Sequence, residues 1–184
     1  MRLFCFRWPQ NNVIFDAIVI INFLSTVHGI LYSWSQLSAS GISSRNAHVS
    51  SFYSNTIYTI AGSDKSNKDL SDVLAFSLTT NTWSPISTSG SPFPARSYAA
   101  SSIDPSNGAI YVMGGAIYSS GTVAMYNDVW TYSISLSSWS LVTVTGTLPG
   151  IRWGHTMNFY SGMSIHSAIH AFIIPIFLIF HTNL

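Results

Sequence analysis

The residues of this chain with chemical potential are few. Asp64-Lys65-Ser66-Asn67-Lys68-Asp69 is the densest cluster of charge. It carries closely spaced oxygen ligands, as a calcium loop does. However, Lys68 occupies a ligand position and neither the turn glycine nor the distal Glu follows, so a solvated surface loop fits better. His166 and His170 stand four apart and would share a helix face, yet Ser167 follows the first where a zinc-protease motif needs Glu. No metal ligand is expected from them. Cys5 is the only cysteine, which excludes an intramolecular disulfide. All six acidic residues are Asp, so no pair of spaced Glu carboxylates exists for acid–base work. There is no Gly-x-Ser-x-Gly elbow and no phosphate-cradling glycine loop. No catalytic residue and no cofactor are expected.

Composition narrows the classes further. At 184 residues, 47% hydrophobic and 7% charged, the chain is suited to one packed domain and not to disorder. A formal charge of +1, with no basic patch interleaved with aromatics, offers no electrostatic case for nucleic acid or an anionic bilayer.

The elements that would position a binding loop are strands. From Phe93 to Val144 four short runs with β composition are each bounded by turn chemistry: Tyr98–Ile103, Ala109–Met113, Asn127–Tyr132 and Trp139–Val144. Asp104-Pro105-Ser106-Asn107-Gly108 reads as the first reversal. Nothing there has helical periodicity. The pattern also recurs. Arg45, Arg96 and Arg152 lie 51 and 56 residues apart, and Trp34, Trp83 and Trp139 lie 49 and 56 apart. Ile57–Gly62 answers Ile110–Gly115, and Asp72–Phe76 answers Asp128–Tyr132. Four strands per unit and a period near fifty are the marks of a β-propeller blade.

Arg, a glycine pair after an aromatic-bearing strand, an Asp-Val strand and a Trp beyond a polar turn together resemble the kelch repeat, over roughly residues 32–160. Ala61 replaces the first glycine of one pair, and Ala99-Ala100 replace the His common in the family. The resemblance implies an all-β fold, a partial kelch-type β-propeller of four-stranded antiparallel blades. It comprises a strand of a preceding blade at 32–37, full repeats at 42–86 and 93–144, and the start of a further repeat at 149–160. Arg45, Arg96, Arg152, Gly62, Gly114, Gly115, Trp83 and Trp139 are then structural landmarks, the arginines bonding carbonyls and carboxylates near the hub. Asp72 and Asp128 are expected to satisfy backbone donors at strand entry. Loops after the second strand project from a rim and carry binding. Asp64, Lys65, Asn67, Lys68 and Asp69 fall in one such loop, Tyr118 and Tyr126 in the next.

The resemblance therefore implies a non-enzymatic module that binds a protein or extracellular ligand. A galactose-oxidase-like remnant is a further alternative. That copper site needs a Tyr cross-linked to Cys, and removal of a signal peptide would take Cys5 with it. Propellers close with about four to eight blades. Two complete repeats and two partial ones leave sheet faces open, so self-association is expected, and a truncated fragment without independent function is the other alternative.

The termini read differently. Residues 1–29 combine Arg2 and Arg7 with a nearly continuous apolar run from Val13 to Leu24, expected to be helical. Val27 and Gly29 sit as a signal-peptidase site requires. A cleaved signal peptide, an uncleaved anchor and a buried first element all fit, with Asp16 and Asn22 arguing against strong insertion. Residues 161–184 form an apolar tail unrelated to the repeat, long enough from Met163 to Phe180 to span a bilayer as a helix. A secretory-pathway location, extracellular or membrane-associated, follows from these ends.

Overall fold

Hydrophobic alternation at period two, broken by Asn, Asp, Ser and Gly, becomes antiparallel sheet. The computed structural model describes residues 24–26, 29–31, 42–119, 121–145, 149–160, 163–167 and 178–181. Among these residues there is no helix. The expected amino-terminal helix and the orphan strand at 32–37 lie outside the described residues, apart from β1 (Leu24–Thr26) and β2 (Gly29–Leu31), which pair as a hairpin.

After β3 (Arg45–Asn46) the first blade is built from β4 (Val49–Tyr53), β5 (Thr56–Ile60), β7 (Val73–Ser77) and β8 (Thr82–Ile86), in the order β4-β5-β7-β8. Between them β6 (Ser63–Asp64) folds back onto β3. The linker contributes β9 (Ser89–Gly90), which runs parallel to the outermost strand of the next blade. That blade consists of β10 (Ala100–Asp104), β11 (Ala109–Met113), β14 (Val129–Ser133) and β15 (Ser138–Leu141), in the order β10-β11-β14-β15-β9. It thus has four antiparallel strands, as the repeat implies, plus a parallel edge strand supplied by the linker. A separate hairpin, β12 (Ala116–Ser119) and β13 (Thr122–Met125), stands between β11 and β14. The third sheet is β16 (Thr156–Tyr160), β17 (Met163–Ser167) and β18 (Leu178–His181). At Met163–Ser167 and Leu178–His181 the apolar carboxy-terminal stretch is extended and paired with this sheet. No helix among the described residues is long and apolar enough to cross a membrane.

Register explains why the blades stack. Val49, Ile60, Val73 and Ile86 lie across from one another on the first blade, and Ile103, Ile110, Tyr132 and Trp139 on the second. The two rows meet in one core with Phe93, Val112 and Trp130. The opposite face of the second blade buries Ala100, Met113 and Val129 against Met157 of β16. Large flat side chains fill the gap between two twisted sheets with few rotamers to freeze, which is why aromatic residues dominate here.

The repeated joint between blades is a backbone one. Gly62 N–H donates to the Arg96 carbonyl at 2.9 Å and Gly115 N–H to the Arg152 carbonyl at 2.9 Å. Ala47 accepts from Tyr98 N–H at 2.9 Å, and Tyr98 in turn accepts from Gly154 N–H at 2.8 Å. Gly62 and Gly115 have φ of +91° and +92°, so only glycine serves without strain. A Cβ at Gly115 would sit 2.7 Å from the Ser97 carbonyl oxygen. Gly115→Ala is therefore expected to cost more than 2 kcal/mol, roughly 1–2 for the left-handed backbone and the rest for the clash. Ala61 already holds a φ of +60°, equivalent to +65° at Gly114. Ala61→Gly should stay within about 1 kcal/mol of the parent, relief of strain offsetting lost methyl burial and added chain entropy. Thermal denaturation of the two variants checks both.

Candidate rim surface

Three arginines stand at one repeat position; Arg96 and Arg152 each accept a glycine N–H on their carbonyl, and Arg45 and Arg96 each clamp a carboxylate. Arg45 donates from Nη1 and Nη2 to Asp72 at 2.7 and 2.9 Å, and from Nη1 to the Ala61 carbonyl at 3.1 Å. Arg96 does the same to Asp128 at 2.6 and 3.0 Å and to Gly114 at 2.9 Å. Arg96 is fully buried, its guanidinium lying between the rings of Phe93 and Tyr126 at 4.8 and 4.2 Å. Burial alone would push the Asp128 carboxyl up. The bonds from Arg96 and from Trp130 Nε1 (2.7 Å) outweigh it and hold the carboxyl below the usual range. Asp72 and Asp128 thus give both carboxylate oxygens to a guanidinium fork, a partner added to the backbone-donor role expected for them; Asp128 also takes its own backbone N–H. Arg152 donates from Nε to the Gly150 carbonyl at 3.1 Å, as Arg96 does to Pro94 at 3.3 Å. These geometries make the arginines internal fasteners.

The expected binding loops divide into residues turned inward and residues left outside. Asp69 is buried; one carboxylate oxygen accepts from Ser63 Oγ, the other from the Tyr118 backbone N–H at 2.6 Å. Its charge is committed to fastening the loop of one blade to the hairpin of the next. Tyr126 is likewise committed, its ring packed on Arg96. Asp64 accepts from Ser66 N–H at 2.7 Å and Lys68 N–H at 3.0 Å, and these backbone bonds, led by Lys68, hold its carboxyl low. Lys65, Asn67 and Lys68 remain exposed, and neither lysine joins an ion pair among the described residues. Tyr118 is 54% exposed on β12.

The bond from Tyr118 N–H to Asp69 brings the two loops side by side, so Lys65, Lys68 and Tyr118 belong to one rim. Sequence reasoning missed Val123 and Met125, which face outward from β13 at 48% and 39% exposure. Their register with Tyr118 and Ala116 puts all four on one face of the hairpin. The consecutive apolar run Val123-Ala124-Met125 beyond Gly121 was the available signal. Among the described residues no three His, Cys, Asp or Glu side chains gather at metal-binding range.

The comparisons with known proteins agree with this architecture. No curated protein matches the chain. The family model of the KLHDC2/KLHL20/DRC7 Kelch-repeats domain matches residues 2–166, a span that runs through the segment expected to be a signal peptide. Kelch repeats serve in general as protein-interaction modules. With two blades fastened by the same arginine–aspartate clamp and a family match over most of its length, this chain belongs to the Kelch-repeat family.

Proposed function

We propose that the chain is a non-enzymatic binding module whose contact surface is the rim made by Lys65, Asn67, Lys68, Tyr118, Val123 and Met125. One observation carries this reading. The acidic groups of the rim are spent on internal bonds, whereas its lysines and apolar side chains are left outside. A scaffold that turns carboxylates in and leaves cations and a tyrosine out favours a partner protein with acidic and apolar groups. The test is quantitative affinity capture on the full chain. A Lys65→Ala, Lys68→Ala, Tyr118→Ala triple variant should lose specific partners by at least about tenfold. Leu136→Ala, in the turn between β14 and β15, should retain them. A triple variant that retains everything the parent retains would sink the proposal.

A propeller fragment without independent function is the second reading. Arg152 favours it: unlike Arg45 and Arg96, it joins no carboxylate clamp among the described residues and bonds the Gly150 carbonyl instead. Size exclusion and circular dichroism distinguish the two. A cooperatively melting β-protein of defined size supports the module, and aggregates support the fragment. An exported setting rests on the sequence of the two ends alone; amino-terminal sequencing of the exported protein that finds Met1 would remove the cleaved signal peptide and leave the uncleaved anchor.

A further inference from the structure

The hairpin β12–β13 has one covered edge and one bare edge. Ala116 exchanges backbone bonds with Ser97 (N–H to Ser97 O, 2.9 Å; O from Ser97 N–H, 2.8 Å), and Tyr118 N–H reaches Asp69. The polar backbone groups of Ala116 and Tyr118 therefore point away from β13. In an antiparallel pair, directly opposed residues point their groups the same way relative to the ladder, both in or both out. Met125 lies opposite Ala116 and Val123 opposite Tyr118. Both must then direct N–H and C=O outward, along an edge that meets no other strand among the described residues.

The outer edges of both blades are guarded. The outer strand of the second blade is covered by β9, and that of the first carries Pro85, which has no N–H to offer. The loop equivalent to the hairpin in the first blade is charged. β13 has none of these defences: no charged residue occurs between Asp104 and Asp128, and all four of its residues are exposed.

We infer that β13 is a self-association edge, pairing antiparallel with β13 of a second copy. A second copy is the occupant the chemistry favours, because an uncharged strand offers no complement to a charged partner and meets its own copy without like-charge conflict. Val123 of one copy opposite Met125 of the other gives two narrow pairs, on the order of four hydrogen bonds. It also joins the two Tyr118–Val123–Met125 faces into one apolar surface. So short an edge makes a weak, concentration-dependent dimer. This rests on the reading of the hairpin as a contact surface and assigns a second copy to its β13 edge alone, leaving the lysines of the rim to the other partner.

The test is sedimentation equilibrium of the full chain. The parent mass should rise with concentration from 20.1 kDa toward twice that value, and amides of Thr122–Met125 should gain protection from hydrogen exchange at the higher concentrations. Because Val123 N–H points outward, Val123→Pro costs the hairpin no bond and should weaken association at least about tenfold. Val123→Lys should do the same, and Leu136→Lys, which adds the same charge elsewhere, should not. Circular dichroism melts matching the parent show that the variants fold. A parent that stays at 20.1 kDa overturns the inference, as does a dimer that Val123→Pro and Val123→Lys leave intact. If self-association fails while the Lys65–Lys68–Tyr118 capture succeeds, only this inference falls.

Discussion

Replacing Arg96 with Ala should lower stability by about 3–5 kcal/mol, the cost of leaving one member of a buried ion pair alone. Arg96 is fully buried and Asp128 is 26% exposed, so the stranded carboxylate has little water to turn to. Four other groups lose a partner in the same change: the Pro94 and Gly114 carbonyls and the rings of Phe93 and Tyr126. For a domain of this size the loss corresponds to a fall of roughly 6–20 °C in midpoint. Arg96→Lys should recover little, since an ammonium cannot fork onto both Asp128 oxygens. Arg45→Ala should cost less, because Asp72 is 42% exposed and can be rehydrated.

The same clamp sets an acid limit. The Asp128 carboxyl is held below its unfolded value, so its contribution is fully present above the usual carboxylate pKa of about 3.9 and is lost as pH falls through the lower, native value. Melting temperature should therefore drop on acidification below about pH 4, and Asp128→Asn should start lower and respond less steeply. An Arg96→Ala protein that melts with the parent would show that the clamp does not hold the blade.

Trp139→Ala is expected to be comparably damaging, at about 3–5 kcal/mol. The indole is buried, stacks on Phe93 at 4.1 Å with an interplanar angle of 7°, and leans on Tyr132 at 5.0 Å. Phe93 is in turn edge-on to Trp130 at 5.6 Å, so truncation opens a void in the middle of the interblade core. Trp139→Phe should cost far less. It keeps the stack and removes an indole N–H that has no hydrogen-bond partner among the described residues, whereas Trp130 Nε1 has Asp128. Chemical denaturation of both variants checks the order. Equal losses would mean that a phenyl ring at this position restores neither the stack nor the packing, so that the site depends on the whole indole.

Much of the scaffold could be read from spacing because blades are local objects. Within a blade successive strands pair with neighbours close in sequence, so the turn at Asp104–Gly108 and the runs on either side already specify the hairpin β10–β11. The recurrence of Arg45, Arg96 and Arg152 was legible for the same reason: a repeat must present the same joint each time. The loops were less legible. Asp69 and Lys68 are adjacent and equally polar on paper, yet one is buried between blades and the other faces water. Tyr118 and Tyr126 were indistinguishable as contact groups until Arg96 arrived against Tyr126 from thirty residues away.

By itself, then, the order of residues determined that this is a kelch chain of antiparallel blades, because alternation, turn chemistry and period act over a few residues at a time. Only the tertiary structure decided which polar groups are fasteners and which are free. That choice depends on whether a carboxylate meets a guanidinium or an N–H of the next blade, a matter of approach in space to which local pattern is blind.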